Sequence, residues 1–244
     1  MEDRRGNRTE RIRARYDRAA DSAGARKNVQ RKGIAMSILR EDMFTCPHCE
    51  EKGPLEVWAS VNVTQDPDAR RRVEDLSLFE WTCPNCGKVC LVLHPCMYHD
   101  MDNEFMVWFA PEGEIQEGAQ FSQLDRYTLR TTKTPNEFRE KVNILERGLD
   151  DRAMELTKLI LIMQLTRDGA DVVDVVFHSV DTRGQFVFVL VHPDGVEQYL
   201  RMPPSTYEKL AHDVREYLYT PAHGFQTIDL AWAKESLELL QGLR

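Results

Sequence analysis

Cys46-Pro47-His48-Cys49 and Cys83-Pro84-Asn85-Cys86-Gly87 decide how this chain is read. A gap of two residues lets the backbone curl into a tight knuckle whose two sulfurs face one point, while the following N–H groups turn toward the thiolates. Two such knuckles, 33 residues apart, can close four thiolates around one ion with no open coordination position, the arrangement of structural zinc. Pro47 and Pro84 set φ directly after the leading cysteine, and Gly87 follows Cys86 where a knuckle calls for positive φ. The first knuckle is followed by Glu50 instead, so its turn is expected to relax or to be delayed toward Gly53.

Cys46, Cys49, Cys83 and Cys86 are therefore the candidate metal ligands. Zinc is the default ion, and iron also suits four thiolates. Lys52 and Lys88 are placed to offset the formal charge of −2 that such a centre carries. A redox Cys-Pro-His-Cys motif is the rival reading, but it needs a strand before it and a helix opening after it. Here Cys49 runs into Glu50-Glu51-Lys52-Gly53-Pro54 and then into the strand-like alternation of Leu55-Glu56-Val57-Trp58. Cys90 and Cys96 lie in and just after the apolar run Val89–Leu93 and read as buried core thiols. His48 reads as a solvent-facing turn residue.

Across 244 residues, 42 % hydrophobic and 30 % charged, there is enough apolar material for one or two cored domains. No stretch approaches the ~18–20 unbroken apolar residues of a membrane helix. The first thirty residues are Arg-rich and have no apolar segment of the kind a secretory signal carries. A soluble, cytoplasmic protein is expected. The formal charge of −8 is unevenly spread: residues 1–33 carry eleven Lys/Arg against five Asp/Glu, a net of +6, which leaves −14 for the rest. An acidic body repels phosphate backbones, so the folded part is not expected to bind nucleic acid. Residues 1–35 read as a basic, disordered tail, with Met36 a candidate natural start.

The remaining sequence predicts an α+β protein: a zinc-ribbon-containing β-rich module over 41–115, then an α+β module over 131–244 with an antiparallel sheet. In the first, strands are expected over Leu55–Thr64, Ser77–Thr82, Lys88–Leu93 and Glu104–Phe109, with a capped helical turn over Asp66–Val73. In the second, Thr134-Pro135-Asn136-Glu137 starts a helix in capping-box fashion, and Gly148 ends it. A second helix runs from Asp151 to about Arg167 with an apolar stripe through Leu156, Leu159, Ile160 and Met163. Strands follow over Val172–Phe177, Gln185–Val191 and Val196–Met202, the last two joined by Asp194-Gly195, and then helices over Ser205–Leu218 and Asp229–Leu240. Trp58, Trp81, Trp108 and Trp232 read as core anchors.

The two Cys-Pro-x-Cys motifs resemble those of the CpXC domain, a prokaryotic family without an assigned biochemical activity. Val61-Asn62, Phe79, Pro95, Tyr98-His99-Asp100, Pro111, Leu149-Asp150-Asp151 and Ile228-Asp229-Leu230-Ala231-Trp232 extend the similarity from about Phe44 to Trp232. The resemblance implies a domain and a metal, and no catalytic residue carries over.

Tyr98-His99-Asp100 is the best polar constellation outside the cysteines, and it reads as a hydrogen-bonded turn in the absence of a nucleophile or phosphate loop nearby. Asp150-Asp151 reads as the cap of the long helix, facing its positive end. The leading functional expectation is a binding or scaffold module in which zinc supplies folding energy and the C-terminal half offers a surface to a protein partner. The alternatives are an enzyme with a pocket between the modules, using His99 and Asp100, and a nucleic-acid ribbon aided by the basic tail.

Overall fold

A computed structural model describes residues 37–113, 126–218 and 224–242. The basic segment 1–35 and Met36 lie outside these residues. The chain divides into two compact units, one ending at Cys96 and the other beginning at Met97.

The first unit is built on two antiparallel hairpins. Strand β1 (Ile38–Thr45) pairs with β2 (Lys52–Asn62), helix α1 (Pro67–Glu74) follows, and β3 (Glu80–Thr82) pairs with β4 (Val89–Leu91). Strand β1 was not expected, because an eight-residue strand exposed on nearly all its length has no alternation for a sequence to display. The strand expected over Ser77–Thr82 starts later: Leu76 takes φ 63°, residues Ser77–Phe79 form a 3-10 turn, and only Glu80–Thr82 is extended. Helix α1 starts on Pro67 as expected, but the Asp66 side chain makes no capping bond. A core of Cys46, Leu55, Trp81, Cys83, Cys90 and Val92 joins the hairpins. Across it, Phe44 meets Trp81 edge-on at 5.0 Å and the Trp81 indole donates to Pro54 O at 2.8 Å.

The second unit is α+β. It holds all but the first residue of β5 (Cys96–Asp100), then β6 (Phe105–Phe109), β7 (Thr128–Thr132), α2 (Pro135–Glu146), α3 (Asp151–Arg167), β8 (Asp174–Val180), β9 (Phe186–Val191), β10 (Glu197–Met202), α4 (Ser205–Tyr217) and α5 (Leu230–Gly242). Strands β8, β9 and β10 form the anticipated antiparallel sheet, with β9 in the centre. Strand β7, parallel to β6, was not foreseen: Thr-Leu-Arg-Thr-Thr reads as a polar loop until its arginine finds buried partners.

Helix α2 begins with the predicted capping box: Thr134 Oγ1 accepts from Glu137 N at 3.2 Å and the Glu137 carboxylate accepts from Thr134 N at 3.2 Å. Gly148 ends it in the left-handed region at φ 66°. Helix α3 is the centre of the unit. One side packs Met154 and Leu161 against Val175, Phe177, Phe186 and Phe188, and the other packs Ala153, Leu156 and Leu159 against Leu210, Val214, Ala233 and Leu240 of α4 and α5. A helix covered on both sides must bury polar positions as well, which determines what its charged residues do.

Candidate metal centre

Each knuckle is the loop of a hairpin. Thr45 pairs with Lys52 and Thr82 with Val89, so the first loop holds Cys46 and Cys49 and the second holds Cys83 and Cys86. The loops are closed by the same two backbone bonds. Cys46 N donates to Glu51 O at 2.9 Å and Glu50 N to Cys46 O at 2.9 Å; Cys83 N donates to Lys88 O at 2.9 Å and Gly87 N to Cys83 O at 3.0 Å. The expected relaxation toward Gly53 does not occur. Glu50 itself enters the left-handed region at φ 61°, matching Gly87 at φ 68°. Gly53 serves another purpose: a Cβ there would lie 2.9 Å from the Pro84 ring and from Trp81 Cζ2, so its bare backbone lets the second loop approach the first.

The approach brings all four Sγ atoms within 4.8 Å of one another. Between the loops, Cys46 Sγ and Cys86 Sγ lie 3.7 Å apart, and Cys49 Sγ and Cys83 Sγ 3.6 Å. Sulfurs ~2.3 Å from a central ion define a tetrahedron with edges of about 3.8 Å, so these separations fit a four-thiolate site. They are far beyond the ~2.05 Å of a disulfide. Cys86 N points at Cys83 Sγ at 3.5 Å and Asn85 Nδ2 at Cys49 Sγ at 3.7 Å, the donors that steady thiolates in such knuckles. Lys88 Nζ lies 3.5 Å from His48 Nδ1 on the opposite loop, and His48 is exposed, as anticipated.

The Lys88 backbone N–H favours the Cys86 thiolate, but desolvation and the thiols of Cys83, Cys49 and Cys46 outweigh it and push Cys86 up to about 12. A dication reverses that balance, because it stabilises several thiolates at once. Cys90 and Cys96 are both buried; burial pushes up the thiol of each. The first knuckle leads into β2 and opens no helix, so the thiol-lowering helix terminus of a redox motif is not there.

Tyr98, His99 and Asp100 are brought to one strand, but their side chains go to separate structural partners. The Tyr98 hydroxyl donates to Glu146, His99 Nε2 lies 3.3 Å from Tyr127 Oη, and Asp100 accepts from Asp102 N, Asn103 N and Asn103 Nδ2 within its own turn. Asp150 caps α3 by accepting from Arg152 N at 3.0 Å. Asp151 departs from the capping reading. It is buried, receives Arg130 Nε at 2.7 Å and Nη2 at 2.9 Å, and lies 3.2 Å from Lys141 Nζ.

That pair opens a buried chain of charges which the sequence reading missed. Lys141 continues to Glu155 at 3.2 Å, and Lys158 lies 3.2 Å from Glu155 and 2.8 Å from Glu140. Glu140 also accepts from Phe177 N at 2.6 Å, and Lys141 donates to Ile228 O at 2.7 Å, tying β8 and the 226–228 segment to α2 and α3. Burial opposes the Asp151 carboxylate, yet Lys141 and Arg130 hold it well below the usual range. Asp151, Glu155 and Lys158 recur at helical spacing, a signal that a solvated face gives equally well. Of the apolar stripe on α3, Leu156 and Leu159 are buried, whereas Met163 is 53 % exposed. With Ile160, Leu210, Leu237 and Leu240 it lines a cleft of about 440 Å³ rimmed by Arg167 and Asp213.

Paired hairpin loops that bring four sulfurs within 4.8 Å of one another define a protein with a four-cysteine cluster able to hold a metal ion. Residues 44–158 match the model of the family described as CpXC protein. The match takes in both knuckles, Tyr98-His99-Asp100 and Leu149-Asp150-Asp151; it ends within α3, short of the Ile228–Trp232 segment that the sequence resemblance included. No curated protein and no solved structure matches the chain.

Proposed function

We propose that Cys46, Cys49, Cys83 and Cys86 hold one structural zinc ion and that the chain works as a binding module. The observation that supports this most directly is the congruence of the two loops, whose cross-loop sulfur separations of 3.7 and 3.6 Å equal a tetrahedral edge. Four protein thiolates complete the coordination of zinc, so the site has no position for a substrate. Its work is mechanical. An ion bonded to both hairpin tips adds a link between the two loops where their sulfurs meet. The acidic body favours a protein partner over nucleic acid, and the apolar cleft among α3, α4 and α5 offers such a partner a place to dock.

Elemental analysis of protein purified under reducing conditions tests the metal. One zinc per chain is expected, and cobalt substitution should give the intense thiolate-to-metal absorption of a four-sulfur site. Iron in stoichiometric amount replaces zinc in this reading. Metal-free protein carrying a Cys83–Cys86 disulfide overturns it. Affinity capture of the tagged chain from its own cells tests the binding role: a stoichiometric protein partner supports it, and turnover of a co-purified small molecule argues for an enzyme.

A further inference from the structure

Strand β1 ends its sheet, and among the described residues no further strand pairs with its outer side, although Met43 N donates to the carboxylate of its neighbour, Asp42 Oδ1, at 2.7 Å. It is eight residues long and carries no proline, and the charges that blunt such an edge are confined to Arg40, Glu41 and Asp42 at its middle. Its only irregular pairing is at the Ile38/Leu39 end, where β2 skips Ala59 and β1 itself stays regular. Apart from Phe44, which packs against Trp81, its side chains are exposed. Ile38 is 47 %, Leu39 44 % and Met43 60 % exposed, an unusual apolar display for an edge.

The order of residues along this strand has a chemical symmetry. From Ser37 to Thr45 the chain reads Ser-Ile-Leu-Arg-Glu-Asp-Met-Phe-Thr. About Glu41, hydroxyl mirrors hydroxyl, apolar mirrors apolar twice, and Arg40 mirrors Asp42. When two identical strands pair antiparallel about a two-fold axis normal to the sheet, facing residues must point to the same side, so the axis passes through one residue. Centring on Glu41 sets Arg40 against the partner's Asp42 twice, Leu39 against the partner's Met43, and Ile38 against the partner's Phe44. Centring on Arg40 puts Leu39 against Glu41 and Ile38 against Asp42, and centring on Asp42 puts Glu41 against Met43 and Arg40 against Phe44. All three place like charges on the axis, and the Glu41 centring alone matches every flanking position.

We propose that β1 is a self-association surface: two copies of this chain pair β1 to β1 in antiparallel fashion about Glu41, joining their β1–β2 hairpins edge to edge across the two-fold. One strand per copy buries less than the ~1,200 Å² of a standard interface, which makes the pairing weak and concentration-dependent. The facing Glu41 side chains oppose it at neutral pH and low salt.

Sedimentation velocity at about 10–300 µM tests this with substitutions on exposed positions, away from the cysteines and from the core. Wild type should move from the 28.3 kDa monomer toward twice that mass as concentration rises, and Glu41→Thr should dimerise more strongly. Arg40→Asp alone sets Asp against Asp at two places, and Asp42→Arg alone sets Arg against Arg; each should weaken association at least about tenfold. An equimolar mixture of these two single variants restores the opposite charges and should associate, as should the doubly swapped Arg40→Asp/Asp42→Arg chain. A wild type that stays monomeric throughout overturns the proposal, and so does a dimer indifferent to the single substitutions. So does a mixture that fails to associate. Zinc content measured on every variant separates this from the metal reading, since full loading without self-association sinks only the β1 pairing.

Discussion

Glu50 and Gly87 occupy equivalent places in the two knuckles, at φ 61° and φ 68°, each donating its N–H to the carbonyl of the leading cysteine. The left-handed conformation is open to glycine and costs other residues ~1–2 kcal/mol. Glu50→Gly should therefore stabilise the metal-loaded protein by up to ~1 kcal/mol, and Gly87→Ala should destabilise it by about as much. Thermal unfolding of the loaded forms checks both signs.

Gly53 is the point where the loops approach most closely. A methyl group there meets the Pro84 ring and the Trp81 indole at 2.9 Å, and neither is the free end of a flexible chain. Gly53→Ala should cost ~1–3 kcal/mol by forcing the hairpins apart. The same variant should release zinc more readily to a chromophoric chelator, because the displacement falls on the cross-loop sulfur pairs. Unchanged zinc retention would separate the close approach from the metal site.

Asp150 and Asp151 are adjacent in sequence and differ in what they hold. Asp150→Ala removes a cap and should cost ~1 kcal/mol. Asp151→Asn leaves Arg130 and Lys141 buried without their shared carboxylate and should cost ~3–5 kcal/mol. Denaturant titration of the two variants decides the matter: equal costs would mean that the buried chain of charges contributes nothing beyond the cap.

His94 is buried against Phe79, with ring centroids 5.2 Å apart and no hydrogen-bond partner for Nε2 among the described residues. Burial lowers its pKa from the ordinary 6.5, outweighing the backbone contacts at Pro95 and Leu78 that raise it. Below pH 6.5 the unfolded chain takes up a proton that the folded one refuses. The contribution of the neutral ring is complete above that pH and is lost as pH falls toward the folded value, by at most ~1.4 kcal/mol per pH unit. Zinc thiolates also protonate in acid, so the informative quantity is a difference. His94→Phe should lose stability less steeply than wild type between about pH 6.5 and 5, followed by thermal unfolding at fixed zinc.

Much of the second unit was legible because its signals are local. Thr134 and Glu137 cap the same helix turn, Gly148 and Gly195 each take a positive φ within a few residues of the elements they end, and the unbroken apolar run of β9 needs nothing distant to explain it. Strands β1, β5 and β7 were not legible, for three reasons. Strand β1 has no buried face, β5 follows proline and carries a polar triplet, and β7 carries an arginine whose partner is 21 residues away.

Local chemistry alone determined that each Cys-Pro-x-Cys turn aims its two sulfurs at one point, because a knuckle is shorter than the distance over which the rest of the chain can interfere; that the two points coincide is a tertiary result. Only the tertiary structure decided that Gly53 is kept bare for a proline ring, that Glu50 takes the conformation glycine holds opposite it, and that Asp151 answers to Arg130 instead of to its own helix. Each of these depends on a neighbour far along the chain, and a side chain's charge or size does not say which neighbour packing will bring to it.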